Sequence, residues 1–195
     1  MTRASEVERK TTETDISLKL NLDGQGIHDI ATGVPFFDHM LTLFTVHGIF
    51  DLSIFAKGDL EVDYHHTVED VGLVLGDAFD KALGDRKGIR RYGHAVIPMD
   101  EALTSVTIDL SKRPFLVFNV AEIPAETGSF SISIAKEFFR AFANRTGMNL
   151  HINAFYGENV HHLIESIFKA SARAMDDASS FDKRVQGVHS TKGIL

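Results

Sequence analysis

DYHHTVEDVGLVLGDAFDKAL (63–83) and ENVHHLIESIFKASARAM (158–175) open alike. Each begins with a His-His pair and carries a carboxylate four places after the first histidine, Glu69 and Glu165. Val71, Val74, Leu75, Ala78, Phe79 and Leu83 recur at helical spacing in the first stretch, as do Leu163, Ile167, Ala170 and Ala174 in the second, so both predict long helices. Residues i and i+4 of a helix lie only about 40° apart around the axis. His65 and Glu69 therefore share a face, and so do His161 and Glu165. Each is a His/carboxylate clip for a metal ion, physically comparable to the two-histidine clip of a zinc-protease helix. The second histidines, His66 and His162, point elsewhere. The spacing thus predicts two ions in a crossed arrangement, one on His65, Glu69 and His162, the other on His161, Glu165 and His66. Each ion then needs a further ligand. His39 in PFFDHML (35–41) and His151 in NLHIN (149–153) are the candidates. Imidazole and carboxylate donors without sulfur suit Mn, Fe(II), Co, Ni or Zn alike.

The two His-His pairs lie 96 residues apart, about half the chain. Working outward, TDISLKLNL (14–22) alternates apolar and polar residues as a half-buried strand does, and DGQG (23–26) is a turn. PFFDHMLTLFTVHG (35–48) reads as a helix with Pro35 in its first turn and Gly48 at its end. FDLSIFAKG (50–58) and DLEVDY (59–64) read as strands. The second half runs in similar order. EALTSVTIDL (101–110) and RPFLVFNVAEI (113–123) read as strands, ISIAKEFFRAFANRTG (132–147) as a helix closed by Gly147, and MNLHINAFYGEN (148–159) as a strand and turn. The order predicts an internal duplication, residues 1–91 and 92–195, with two similar sheets packing helices between them and one shared core. No Pro/Ser-rich linker separates the halves.

Composition narrows the function classes. The 195 residues carry 20 Lys+Arg against 27 Asp+Glu, a net charge of −7, which argues against a nucleic-acid partner. There is no cysteine, so disulfides, thiolate nucleophiles and thiolate metal sites are excluded. The lack of disulfides fits a cytoplasmic home. No apolar run approaches the roughly 18 residues of a membrane span, and the polar start MTRASEVERK lacks the apolar segment of a signal peptide.

LNLDGQG (20–26), PFFDHML (35–41), DYHHTVEDVGLVLG (63–76), GIRRYG (88–93), PMDEAL (98–103), DLSKRPF (109–115), GMNLHI (147–152), ENVHHLIESIFKASARAM (158–175) and STKG (190–193) together span nearly the whole chain. In these motifs the chain resembles the imidazoleglycerol-phosphate dehydratases. It departs from them at His189, where the family usually has Pro. The resemblance implies an α+β fold, an internally duplicated α/β unit of the ribosomal protein S5 domain 2-like type, with two mixed sheets enclosing a central helical layer. It implies a homo-24-mer of cubic symmetry with two Mn²⁺ per active site at subunit interfaces, on His39, His65, His66, Glu69, His151, His161, His162 and Glu165. It further implies dehydration of D-erythro-imidazoleglycerol phosphate to imidazole acetol phosphate in histidine biosynthesis, through a metal-bound imidazolate and a diazafulvene.

Glu165 is the first candidate for proton transfer, doubling as a ligand, and Glu13 a second candidate for handling the hydroxyl. Arg91, Arg113, Lys169, Ser190 and Lys192 match the family's phosphate-contact positions, and Arg forks and a Ser hydroxyl suit phosphate oxygens. Lys169 falls two helical turns past His161, about 12 Å, which would put a metal end and a phosphate end on one helix. Asp70, one turn beyond His66, is a candidate to support that histidine. Asp100 and Glu101 either line the site or start a strand. Two rival functions use the same residues: a two-metal phosphoesterase, and a metal-storage or metal-driven assembly module. The basic residues near the C-terminus argue against storage, which needs no phosphate clamp.

Overall fold

A computed structural model describes residues 3–123 and 130–195. The first half builds β1 (Ala4–Lys10), β2 (Thr14–Asn21), β3 (His28–Ala31), α1 (Pro35–Gly48), β4 (Asp51–Gly58) and α2 (His65–Leu83). The second builds β5 (Tyr92–Met99), β6 (Ala102–Asp109), β7 (Phe115–Asn119), α3 (Ile132–Thr146), β8 (Asn149–Tyr156) and α4 (Val160–Ser179). The sheets have matching strand orders, β1-β2-β4-β3 and β5-β6-β8-β7. In each, three strands are antiparallel and the last, β3 or β7, pairs parallel with its neighbour. This is the duplicated unit with two mixed sheets that the motif order anticipates.

Alternation sets which face each sheet buries. Ile16, Leu18 and Leu20 of β2 lie opposite Ala56, Ile54 and Leu52 of β4 and are buried with them. Ile108 and Val106 of β6 lie likewise opposite Leu150 and Ile152 of β8. These faces pack on the helices. The helical layer is exchanged between halves, for α2 packs on α3 and α1 on α4. Phenylalanine fills the seam: Phe138 lies within 5.3 Å, centroid to centroid, of both Phe37 and Phe168, and Phe44, Phe79 and Phe142 interlock edge to face. Such aromatic pairs add about 0.5–1.5 kcal/mol each beyond their burial. The buried Arg86 ties the end of α2 to the end of α3, donating to Gly147 O at 3.2 Å, to Thr146 O and to Asp80. Burial lowers its pKa, and Asp80 opposes that loss.

The structure departs from the sequence reading in several places. DLEVDY is not a strand: β4 ends at Gly58 and the chain turns through 59–64 into α2. Its Val62 is exposed, so the alternation there has no sheet to pack on. The strand expected at 113–123 is shorter, because only Phe115–Asn119 pair with β8. β1, β3 and β5 were not legible as strands. All three are edge strands. Burial alternates along β1 and β5, but the inward positions of β1 are Ser5, Val7 and Arg9 and those of β5 begin with Gly93 and Ala95, so the sequence itself prints no clear apolar alternation. Gly48 does not supply the left-handed cap of α1. Ile49 does, at φ 57°, while a side chain at Gly48 would collide with the ring of Phe50. Gly147 caps α3 as expected, at φ 69°.

Candidate metal centre and phosphate cradle

Both predicted clips form. At the start of α2, His65 Nε2 lies 3.4 Å from Glu69 Oε2, and at the start of α4, His161 Nε2 lies 3.2 Å from Glu165 Oε2. Each pair of adjacent imidazoles is splayed alike, with centroids 6.1 Å apart and interplanar angles of 85° and 78°. Asn159 explains the helical start at 160, since its Oδ1 accepts from the backbone N–H of His161 at 2.8 Å and of His162 at 3.4 Å, as an N-cap does.

The second clip gains a third member. His39 comes from α1, which packs on α4, and its Nε2 lies 3.5 Å from Glu165 Oε2. Asp38, its neighbour, fixes this end of α1 by accepting from Thr32 N at 2.8 Å and Thr32 Oγ1 at 2.6 Å. Among the described residues, His39, His161 and Glu165 are the one His/carboxylate group with three ligand atoms within 4.8 Å of one another. The first clip has instead Arg140 of α3 at 3.8 Å from Glu69 Oε1. The crossed sets therefore do not assemble within one chain: His66 and His162 each face carboxylates of their own half.

Of those carboxylates only Asp59 escapes the sequence reading, which names Glu13 and Glu101 but not as partners of the second histidines. Asp59, just after β4, accepts from His66 Nδ1 at 3.0 Å, with Glu13 Oε2 at 3.8 Å from the same nitrogen. Both raise the His66 pKa, the Asp59 hydrogen bond most. Glu101, in the turn between β5 and β6, accepts from His162 Nδ1 at 2.7 Å. It also accepts from the backbone N–H of Asn159 at 2.8 Å and of Glu158 at 3.2 Å. These bonds, the one from His162 foremost, bring the Glu101 carboxyl down to about 2. Asp70 does not support His66. It accepts from Thr14 Oγ1 and pairs with Arg9 at 3.1 Å, joining α2 to the sheet.

Glu165 is buried beside an ammonium, with Lys169 Nζ 2.6 Å from its Oε1. Burial pushes its pKa up, but Lys169 together with the histidines outweighs that and holds it below the ordinary carboxylate value. Lys169 thus lies at the clip on α4, apart from the cavity that gathers the other predicted phosphate residues. The other four predicted phosphate residues do converge. Arg91, Arg113, Ser190 and Lys192 line one cavity of about 310 Å³ with Tyr92 and His189. Asp109 holds the Arg91 guanidinium through Nε at 2.6 Å and Nη2 at 3.0 Å, and Nη1 donates to His189 O at 2.7 Å. The contact uses the His189 carbonyl, so it does not depend on that side chain. His151 stands on the exposed face of its sheet, in a hollow with Tyr92 and Asp109. It lies with the phosphate cradle, not with His161.

The family model described as imidazoleglycerol-phosphate dehydratase matches residues 32–175. The chain is 62% identical over its full 195 residues to the imidazoleglycerol-phosphate dehydratase of Desulfosudis oleivorans, and 57% to that of Pelobacter propionicus, covering all of each. The chain belongs to the imidazoleglycerol-phosphate dehydratase family. The dehydratase structure from Staphylococcus aureus superposes with a TM-score of 0.83 at 38% identity, covering 92% of this chain and 99% of that one. The Pyrococcus furiosus enzyme, in complex with (S)-C348, gives 0.85 at 37% identity over 97% and 100%. This dehydratase is accordingly a hydro-lyase of histidine biosynthesis. Two of its motifs place site residues directly. GIRRYG sets Arg91 where its backbone N–H donates to Ala178 O at the end of α4. A Cβ on Gly93 would meet Ala174 O at 1.9 Å, so glycine lets β5 lie against α4. PMDEAL sets Glu101 at the other end of the same strand. No helix among the described residues is long and apolar enough to cross a membrane.

Proposed function

We propose that the dehydratase converts D-erythro-imidazoleglycerol phosphate to imidazole acetol phosphate with two Mn²⁺ per active site, in an assembly that completes each site between copies of the chain. The convergence of His39, His161 and Glu165 carries the metal reading. Two half-exposed imidazoles and a buried carboxylate, with no thiolate, are a donor set that fits a divalent transition ion. His65 and Glu69 hold the second ion, and His66, His151 and His162 complete the two sets. When bound, the ions supply Lewis acidity toward the ring nitrogens of the substrate and favour its deprotonated imidazole.

The distance between the two ends of α4 supports the reading of a shared site. His161 stands at one end and the Arg91 cradle touches Ala178 at the other. That seventeen-residue step spans about 25 Å at 1.5 Å per residue, too far for one short imidazole-to-phosphate substrate. We place the cradle and His151 of one copy beside the clips of another, in a homo-24-mer, and the enzyme in the cytoplasm. Arg91, Arg113, Ser190 and Lys192 hold the phosphate. Loss of the hydroxyl from the carbon next to the ring gives a diazafulvene and acidifies the following C–H. Glu165, kept ionised by Lys169, takes that proton, and the resulting enol tautomerises to the ketone. Glu13, whose carboxylate is exposed beside His66, handles the departing hydroxyl, relaying to it a proton taken from solvent.

The test is to strip the protein with chelator, return Mn²⁺, and follow imidazole acetol phosphate. Ketone formed only with metal supports the proposal. Undiminished activity in stripped protein removes the metal reading, and release of inorganic phosphate in place of ketone favours the phosphoesterase.

A further inference from the structure

The duplication sets an acidic side chain behind the second histidine of each pair. Glu13 immediately precedes β2 and Glu101 immediately precedes β6, so the two occupy corresponding places in the halves. Each faces a second histidine through Nδ1, but at different range: 2.7 Å for Glu101 and His162, 3.8 Å for Glu13 and His66. At His66 the close position belongs to Asp59, at 3.0 Å. One half thus uses its hairpin carboxylate on the histidine, whereas the other uses a residue from the turn after β4.

An ionised carboxylate only accepts hydrogen bonds. The nitrogen facing it must therefore carry the proton, and in the neutral ring the other nitrogen then keeps its lone pair. We infer that Glu101 and Asp59 are positioning residues that hold His162 and His66 as Nδ1–H tautomers, each with Nε2 left as the metal-binding atom. No other carboxylate lies closer than 3.8 Å to His162 Nε2 among the described residues, the nearest being the exposed Asp100, beyond hydrogen-bond range. Glu101 adds a second constraint. Its other oxygen holds the backbone N–H groups of Glu158 and Asn159, so the same side chain fixes where α4 begins and how His162 is turned. The inference rests on the metal reading above, because Nε2 matters only if an ion takes it.

Glu101→Gln separates tautomer control from simple support of the helix. The amide oxygen still accepts the two backbone N–H groups, while the amide NH₂ donates to His162 Nδ1 and drives the proton to Nε2. Ring-¹⁵N-labelled histidine in sedimented, metal-free protein, at a pH where the rings are neutral, reports the tautomer by solid-state NMR. The expected result is Nδ1–H at His162 in the wild type and Nε2–H in Glu101→Gln, with Mn²⁺ affinity about 10–100-fold weaker. Asp59→Asn should do the same at His66 alone. An unchanged His162 tautomer in Glu101→Gln overturns the inference, as does a switched tautomer with Mn²⁺ affinity within twofold of the wild type. The metal reading itself fails on a different observation, a wild type that binds no Mn²⁺.

Discussion

Glu165 concentrates three demands in one side chain. It is buried, it faces His161 and His39 through one oxygen, and Lys169 holds the other. Burial of a lone carboxylate would favour its neutral form; Lys169, with His161 and His39, opposes that and holds the pKa below its ordinary value. Glu165→Gln retains the shape and removes the charge. Turnover should fall by about 10²–10⁴-fold, the usual worth of a proton-transfer group, while size-exclusion shows an unchanged assembly. A variant within threefold of wild-type turnover would assign the proton transfer elsewhere. The i,i+4 spacing made this clip readable from sequence. His39 joined it only as a candidate, because its α1 reaches α4 by tertiary packing and no spacing encodes that contact.

The connections between elements carry charge of their own. Asp51, the first residue of β4, accepts from the backbone N–H of Gln25 at 2.7 Å and of Ile27 at 3.1 Å, and from Asn21 Nδ2 at 3.2 Å. It thereby organises the turn that DGQG announces. The Gln25 bond most strongly lowers its pKa from 3.8, against a smaller opposing effect of burial, with Ile27 and Asn21 adding to the decrease. A carboxylate depressed on folding stabilises fully above its unfolded value and loses that contribution as pH falls through its folded value. The Tm deficit of Asp51→Asn relative to wild type should therefore be constant from pH 7 to about pH 5 and shrink below pH 4. A deficit independent of pH down to 2.5 would show that the charge is not what the turn uses. Helices were more legible than strands here. The four helices keep one apolar stripe each, whereas the edge strands β1, β3 and β5 carry few large apolar residues at their inward positions.

At the scale of the molecule, the clip and the Arg91 cavity stand at opposite ends of α4. The metal clip lies at the N-terminal end of α4, and the Arg91 cradle with His151 at the C-terminal end. Exposed aromatics on the outer surfaces, Phe55, Phe115, Phe155 and Tyr156, offer area for contact between copies. If each site takes one end from each of two copies, two inactive variants should rescue each other. Glu165→Gln chains and Arg113→Ala/Lys192→Ala chains, dissociated, mixed and reassembled, should regain ketone-forming activity that neither shows alone. Mixtures as inactive as their components would return both ends to a single chain.

Local spacing determined much of this protein. The helical period placed His65 with Glu69 and His161 with Glu165, the repeated order of motifs announced two like halves, and the lack of cysteine excluded thiolate ligands. Only the tertiary structure decided the rest. It put His39 beside Glu165, Lys169 on the carboxylate instead of the cradle, and Asp59 and Glu101 behind the second histidines. It also set the backbone of Arg91 against Ala178, at the far end of α4 from the clip. The physical reason is that a helix converts separation along the chain into angle and rise by a fixed rule, whereas contacts between elements depend on which faces the core brings together.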